Sequence, residues 1–447
     1  MTSTRQIRNW FFGIVLRATT AALALTVVFG LMTTISQSLQ AQTYKVLYNF
    51  TGQADGLEPE AGMTMDKAAN LYGTTIYGGT GCGGGEYGCG TAFKLKRAGS
   101  GWIFDPLYSF QGGSDGAYPA ARVIFGSDGS LYGTTTAGGG CPSGNGCGTV
   151  FNLRPQPKAC TTALCPWKET LLYSFAGSDG AEPYSEVVFD HVGNLYGTTT
   201  RGGSSGYYGD GVVYELTPSN GGWSETILHG FTGGTDGAEP YAGLIFDNVG
   251  NLYGTTYEGG NLACSGGGGQ GCGVVFQLAP VGSGWTENIL YSFQSSRDGA
   301  FPMGGLIFDQ FGNLYGTTPL TYGGMVFMLT PSQGNWAFTL LYSFSGPEGP
   351  EASLVMDAAG NLYGTRVDGG AYEYGSVFKL TPSSDGWTYT SLHDFCPNGF
   401  PACSDGAYPV SNVVIDTNGN LYGTAALGGT GCPSNPNGCG VVWEITP

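Results

Sequence analysis

Residues 240–256 read PYAGLIFDNVGNLYGTT, and the phrase returns with small changes seven times along the chain. Its heart, Leu-Tyr-Gly-Thr, begins at Leu71, Leu131, Leu195, Leu252, Leu314, Leu362 and Leu421, at steps of 60, 64, 57, 62, 48 and 59 residues. A longer unit surrounds it. In the fourth copy, Pro240 opens an apolar run that ends at Asp247, and a tight turn leads into Gly250 to Thr256. A glycine-rich loop follows, then GVVFQL (Gly273 to Leu278) and, past a Pro/Gly/Ser turn, WTENILYSF (Trp285 to Phe293). Asp298-Gly299-Ala300 then restarts the cycle.

Each piece is short, rich in β-branched or aromatic residues, and bounded by Gly, Pro, Asn or Asp. That is strand chemistry with turn punctuation. No sustained helical period occurs beyond the N-terminal segment. Four strands per unit, repeated seven times, predict an all-β fold: a seven-bladed β-propeller of four-stranded blades, where ~4–8 blades are usual. A lone blade cannot bury both faces, so each depends on its neighbours. The near-continuous triplets Leu244-Ile245-Phe246, Val187-Val188-Phe189 and Val413-Val414-Ile415 suit a strand covered on both faces, which places that strand innermost. The phase of the repeat matters too. YKVLYNF (Tyr44 to Phe50) matches the last strand of a unit, and GVVWEIT (Gly440 to Thr446) matches the third. Residues 44–50 are therefore expected to pair antiparallel with 440–446 and close the ring, making 43–447 a single domain.

Composition narrows the class. Glycine supplies 81 of 447 residues, far above the usual ~7 %, yet without the three-residue period of collagen. With 41 % hydrophobic and 13 % aromatic residues there is ample material for a core, which argues against disorder. The formal charge is −17, with only 16 scattered Lys and Arg. A nucleic-acid partner needs a basic patch and is not expected, nor is an anionic membrane surface.

Residues 1–42 stand apart. Arg5, Arg8 and Arg17 precede an apolar run from Ala21 to Ile35, and Leu39-Gln40-Ala41 ends the segment. This fits a secretory signal cleaved near Ala41, with an uncleaved anchor as the alternative. The run is shorter than the ~20 residues a spanning helix needs, which favours cleavage. No membrane span is then expected in the mature chain, which should be a secreted or periplasmic monomer.

Twelve cysteines fall into six close pairs: Cys82/Cys89, Cys141/Cys147, Cys160/Cys165, Cys264/Cys272, Cys396/Cys403 and Cys432/Cys439. An even count, local pairing and an export signal argue for disulfides. Zinc is the alternative, but the spacings exceed those usual for structural zinc and only three histidines are present.

The pattern DGAxP…D…GNLYGTT…GG…GxVFxL…LYSF resembles the GloVer tandem repeat, and covers residues 44–447. Proteins with this repeat are described as choice-of-anchor tandem repeat GloVer-containing proteins. The resemblance implies a bacterial secreted or surface protein and assigns no activity. It also implies varied C-terminal sorting tails; this chain ends at Trp443-Glu444-Ile445-Thr446-Pro447, which favours free secretion.

In such a ring, loops between the second and third strands share a face with loops that lead to the next blade. Five of the six cysteine pairs fall on that face; only Cys160/Cys165 falls on the other. Loops on a rigid scaffold commonly carry binding. Asp55, Asp115, Asp179, Asp236, Asp298 and Asp405 head Asp-Gly pairs there, with Glu348-Gly349 in the sixth unit. They suit either an acidic ring for a cation or amine, or turn chemistry in which the carboxylate bonds its own backbone; repetition in nearly every unit favours the turn. A second set, Asp66, Asp190, Asp247, Asp309, Asp357 and Asp416, precedes the Gly-Asn turn and is expected to be structural.

Tyr72, Tyr253 and their repeats suit packing between blades. Nonrepeating aromatics are better contact candidates: Tyr77, Tyr87, Tyr118, Tyr207, Tyr208, Tyr257, Phe301, Tyr322, Tyr372, Tyr374 and Tyr408. Tyrosines beside acidic groups suit sugar rings, so an extracellular glycan or cell-surface component is the expected partner, against simple loop decoration. His191 falls in a turn, and His229 and His393 replace the tyrosine of the LYSF strand. No catalytic constellation, cofactor signature or EF-hand run appears. A non-enzymatic binding module is expected, with a polysaccharide hydrolase or lyase using paired carboxylates as the alternative.

Overall fold

The computed structural model describes residues 42–447 except 85–87, 142–143, 157–166, 265–268, 296, 320–322, 348 and 433–434. The proposed export segment up to residue 41 lies outside the described residues, as do Cys160, Cys165, Tyr87, Tyr322 and Glu348.

Seven four-stranded sheets stand in a ring, and in each the chain runs from a short inner strand outward. Blade four consists of Ile245–Phe246, Leu252–Thr256, Val274–Val281 and Gly284–Ser292. Blades one, two, three, five and six repeat this order from Thr64–Met65, Ile124–Phe125, Val188–Phe189, Ile307–Phe308 and Val355–Met356. Blade seven takes Val414–Ile415, Leu421–Ala425 and Val441–Thr446 from the C-terminal end, and its outer strand, Thr43–Asn49, from the N-terminal end. The Phe50 N–H donates to the Gly440 carbonyl at 3.1 Å. Phe110 makes the same bond to Gly90 at 3.0 Å in blade one, whose third and outer strands run antiparallel. The strands thus form one unit, Tyr44–Thr446.

The inner strand is shorter than the apolar triplet suggests. Leu244 is buried, but only Ile245 and Phe246 enter the ladder, and both are half-buried. The proline-led residues before them leave the sheet and line the axis instead.

The first four residues of LYGTT each have a task. Leu252 is fully buried. The Tyr253 ring meets Phe308 of the next blade edge-on at 5.1 Å, and its hydroxyl donates to Asp247 at 3.0 Å. Asp247 also accepts from the Val249 and Asn251 backbones and the Asn251 side chain. Burial opposes ionisation there, but these hydrogen bonds outweigh it and hold the carboxyl below its ordinary range. Gly254 leaves room for Phe276, whose ring would lie 2.6 Å from an added Cβ. The Thr255 hydroxyl donates across the blade boundary to the Gly304 carbonyl at 3.3 Å. The same bond recurs as Thr74 to Ala121, Thr134 to Ser185, Thr198 to Ala242, Thr317 to Ala352, Thr365 to Ser411 and Thr424 to Ala61. Thr424 to Ala61 joins the last blade to the first.

A second seam runs beside this belt. The glycine before each third strand faces the proline that opens the next blade. An added Cβ at Gly273 would lie 2.8 Å from the Pro302 ring and 2.2 Å from the Thr256 carbonyl. Gly90 meets Pro119 in this way, Gly148 meets Pro183, Gly211 meets Pro240, Gly375 meets Pro409, and Gly440 meets Pro59.

The outer strands meet through one residue opposite the buried leucine of GxVFxL. Four junctions are ring stacks: Tyr48 on Phe104, Tyr291 on Phe338, Tyr342 on Tyr389 and His393 on Tyr44. Three carry glutamate at that position, Glu169, Glu225 and Glu287. Burial, reinforced by a nearby aspartate, raises Glu169 and Glu225 to about 7 and Glu287 to about 8.

Gly273→Ala should cost about 2 kcal/mol or more, from positive φ and the close backbone approach. Gly282→Ala, at a hairpin with open space around it, should cost no more than about 1 kcal/mol. Urea midpoints of the two variants test this; equal losses would remove the seam's importance.

Candidate functional site

One segment from each blade lines an axial cavity of about 120 Å³: residues 60–62, 120–122, 184 and 186, 241–243, 303–305, 352–353 and 410–412. A second axial section of about 330 Å³ follows, lined by the inner strands of several blades. The two share Arg122, Glu186, Gly243, Gly305, Ser353 and Asn412. Arg122 and Glu186 pair there at 3.2 Å.

The Asp-Gly loops feed this axis and interlock with the glycine-rich loops. Gly139 N–H donates to Gly113, Gly260 N–H to Gly234 and Gly429 N–H to Cys403. Five disulfides staple the same rim: Cys82–Cys89, Cys141–Cys147, Cys264–Cys272, Cys396–Cys403 and Cys432–Cys439. The sixth pair, Cys160/Cys165, lies outside the described residues.

Five of the six Asp-Gly carboxylates are tied to the preceding outer strand, and the sixth, Asp236, to a residue just past it. Asp55 accepts from the Tyr48 hydroxyl and the Thr51 backbone, both at 2.9 Å. Asp115 accepts from Tyr108 and Gln111, Asp179 from Tyr173 and Ala176, and Asp298 from Tyr291 and Gln294. Asp405 meets His393 and the Cys396 backbone, and Asp236 accepts from Thr232. The following glycines take positive φ, 114° at Gly56 and 132° at Gly180. Their geometry is that of strand-to-loop clamps.

The groups that converge on the channel mouth sit two or more residues further on. In six of the seven blades the residue before the opening proline adopts positive φ although it is not glycine: Glu58, Tyr118, Glu182, Glu239, Phe301 and Tyr408, at 52–60°; in blade six that residue is Gly349. That region is costly for an L-residue and disfavoured before proline. A bond across the blade boundary holds it. Tyr118 N–H donates to Cys89, Glu182 to Cys147, Phe301 to Cys272 and Glu58 to Cys439. The stapled loop of one blade therefore sets the mouth residue of the next, and such strained positions concentrate at functional sites.

An aromatic run crosses three blades: Tyr184 to Tyr241 at 5.4 Å, Tyr241 to Tyr257 at 5.4 Å and Tyr257 to Phe301 at 4.9 Å. Tyr77 pairs with Tyr118 at 5.3 Å, and Tyr374, Phe400 and Tyr408 form a third group. Arg201 bridges Glu239 at 3.0 Å and Glu182 at 3.8 Å, and Glu182 also accepts from the Tyr207 hydroxyl. Tyr208 and Tyr372 are exposed outside these groups. Burial raises Glu58, Glu239 and Glu258, and lifts Glu60 to about 7, with Glu58 and Glu351 adding repulsion.

Of the aromatic residues selected from the sequence, Tyr77 and Tyr118, Tyr257 and Phe301, and Tyr374 and Tyr408 are brought into contact with one another. Tyr184, Tyr241, Glu58, Glu182, Glu239 and Arg201 escaped that selection. Their signal is position: immediately before or after the opening proline, or just past LYGTT.

The architecture defines a seven-bladed β-propeller with one disulfide-stapled rim. The chain belongs to the Gloeobacter/Verrucomicrobia repeat family, whose pattern matches residues 30–262, 164–347 and 262–447. A search of curated proteins returns no match. Among solved structures, the extracellular domain of a hybrid two-component system from B. thetaiotaomicron is similar at 13 % identity and TM-score 0.51, over 89 % of this chain. This chain covers 39 % of that one. A glucose dehydrogenase aligns over 76 % of this chain and 100 % of its own, at 13 % identity and TM-score 0.44. An oxidoreductase (glucose dehydrogenase) of Thermus thermophilus aligns over 91 % and 100 %, at 13 % identity and TM-score 0.41. The first likeness shows the fold.

Glu60, Glu169 and Glu225, each at about 7, lie above the ordinary ~4.3. Their contribution is complete at low pH and is lost as pH rises through about 7. Asp66, Asp247, Asp309, Asp357 and Asp416 are depressed, so their contribution is lost only in acid, below about pH 4. The urea midpoint should therefore fall from about pH 5 to pH 8, and a Glu60→Gln/Glu169→Gln/Glu225→Gln variant should flatten that fall. A wild-type midpoint that rises over this range contradicts the assignment.

Proposed function

We propose that this protein is a non-enzymatic binding module of the extracellular or periplasmic space, and that its channel mouth recognises a carbohydrate. The observation that carries this is the aromatic run Tyr184–Tyr241–Tyr257–Phe301 beside Glu182, Glu239 and Arg201. Flat apolar faces cover sugar rings, while the charged groups accept and donate hydrogen bonds to hydroxyls. Tying these loops down by disulfides and cross-blade bonds lowers the ordering cost of binding. The staples fit an oxidising compartment, and the basic and apolar N-terminal segment fits export. Among the described residues no helix is long and apolar enough to cross a membrane.

Glu60 favours the second reading, a hydrolase or lyase. It lines the axial cavity, and its pKa of about 7 suits proton transfer near neutrality.

A glycan array and polysaccharide pull-down separate these outcomes. Saturable binding without turnover is expected, weakened at least ~10-fold in Tyr241→Ala/Tyr257→Ala, the scale of ~1–3 kcal/mol of lost aromatic contact. Degradation of a bound polysaccharide that stops in Glu60→Gln would establish the enzyme instead. The absence of any glycan hit would remove the carbohydrate.

A further inference from the structure

The junction between the outer strands of blades three and four differs from the other six. His229 lies on the blade three strand, where Tyr48, Tyr108, Tyr173, Tyr291 and Tyr342 stand in other units. Glu287 faces it from the blade four strand, and Asp236 joins from the intervening Asp-Gly loop. His229 Nε2 lies 3.7 Å from Asp236 Oδ2 and 3.6 Å from Glu287 Oε2, and one donor atom from each residue falls within 4.8 Å of the others. These separations are too long for hydrogen bonds. The two from His229 are close to the ~3.4 Å between donors on a tetrahedral ion with bonds of ~2.0–2.2 Å.

Two further observations point to a ligand. His229 Nε2 and Glu287 Oε1 are both buried, and neither meets a hydrogen-bond partner. Orphaned buried polar atoms of this kind call for an explanation. Asp236, Glu287 and Ser292 also line a surface cavity of about 320 Å³, which gives an entry path and room for a further ligand. Asp236 is held in place by the Thr232 backbone at 2.9 Å and its hydroxyl at 2.6 Å, the orienting support that ligating carboxylates require.

The related junctions lack this set. Glu169 and Glu225 also have an orphaned Oε1, but they face Tyr108 and Tyr173, whose hydroxyls already donate to Asp115 and Asp179. His393 is bonded to Asp405 at 3.0 Å and stacked on Tyr44 at 3.6 Å, so no glutamate completes a triad there.

We propose that His229, Asp236 and Glu287 form a binding site for one divalent transition-metal ion, with zinc best suited to this nitrogen-and-carboxylate donor set. The ion clips the outer strands of two blades together and keeps one coordination position open to the cavity. The site stands apart from the channel mouth and does not depend on the carbohydrate reading.

The test is titration of chelator-treated, untagged protein with zinc chloride by calorimetry and against a chromophoric chelator. One equivalent of saturable uptake is expected. His229→Tyr restores the residue of five other units, so the fold should persist; it should weaken binding at least ~100-fold, beyond the ~10–100-fold typical of losing a supporting contact. Glu287→Phe, copying Phe104 and Phe338, should do the same, and His393→Tyr should bind as wild type does. Circular dichroism confirms that each variant is folded, and the second variant serves where the first is not. Lack of stoichiometric uptake by wild type, or equal affinity in folded His229→Tyr and Glu287→Phe, overturns the site.

Discussion

The structure rests on contact between neighbours. A four-stranded sheet of this composition has two apolar faces and no partner of its own. The Thr hydroxyl belt around the axis and the Gly–Pro seam beside it are two interactions that repeat from blade to blade. One fixes the inner edge through a directional hydrogen bond. The other fixes the loop rim through close packing that admits no side chain. Since the last member of the belt runs from Thr424 to Ala61, both ends of the chain are locked into one cycle. The outer strand Thr43–Asn49, added to the sheet begun at Val414, performs the same closure at the periphery.

That closure explains how a glycine-rich chain with few charges holds a defined rim. The loops lack apolar mass, so their order comes from backbone bonds between neighbouring loops and from disulfides that shorten their reach. The mouth residues inherit this order. Glu58, Tyr118, Glu182, Glu239, Phe301 and Tyr408 stand in an unfavourable backbone region because the previous blade's loop accepts their N–H groups. Symmetry supplies the frame, and sequence variation on it supplies chemistry: Glu182, Glu239 and Arg201 beside the aromatic run from Tyr184 to Phe301.

Much of the fold was legible in the sequence. The repeat period gave the blade count, the strand chemistry gave all-β blades, and the phase of YKVLYNF against GVVWEIT gave the closure. Tyr253 as an interblade residue and Asp247 as a turn residue were also readable, since each recurs beside the same neighbours. The site was less legible. The Asp-Gly carboxylates can be placed on a face from topology, but only coordinates reveal that Tyr48 or Tyr108 draws them outward, away from the axis. Glutamate and tyrosine do not advertise positive φ, so the ring before each proline left no compositional trace. Glu287 and His229 belong to strands of different blades. Their encounter depends on a register across the blade boundary that no local motif encodes, and His229 therefore read as an ordinary substitution in the repeat.

Native-state hydrogen exchange across the ring tests this account at its centre. The amides of Thr43–Asn49 should show the same opening free energy as those of Leu252–Thr256 on the far side, and both should fall together as denaturant is added. Early exchange of the N-terminal strand, with blade four still protected, would mean that the blades stand without closure and that their interdependence is wrong.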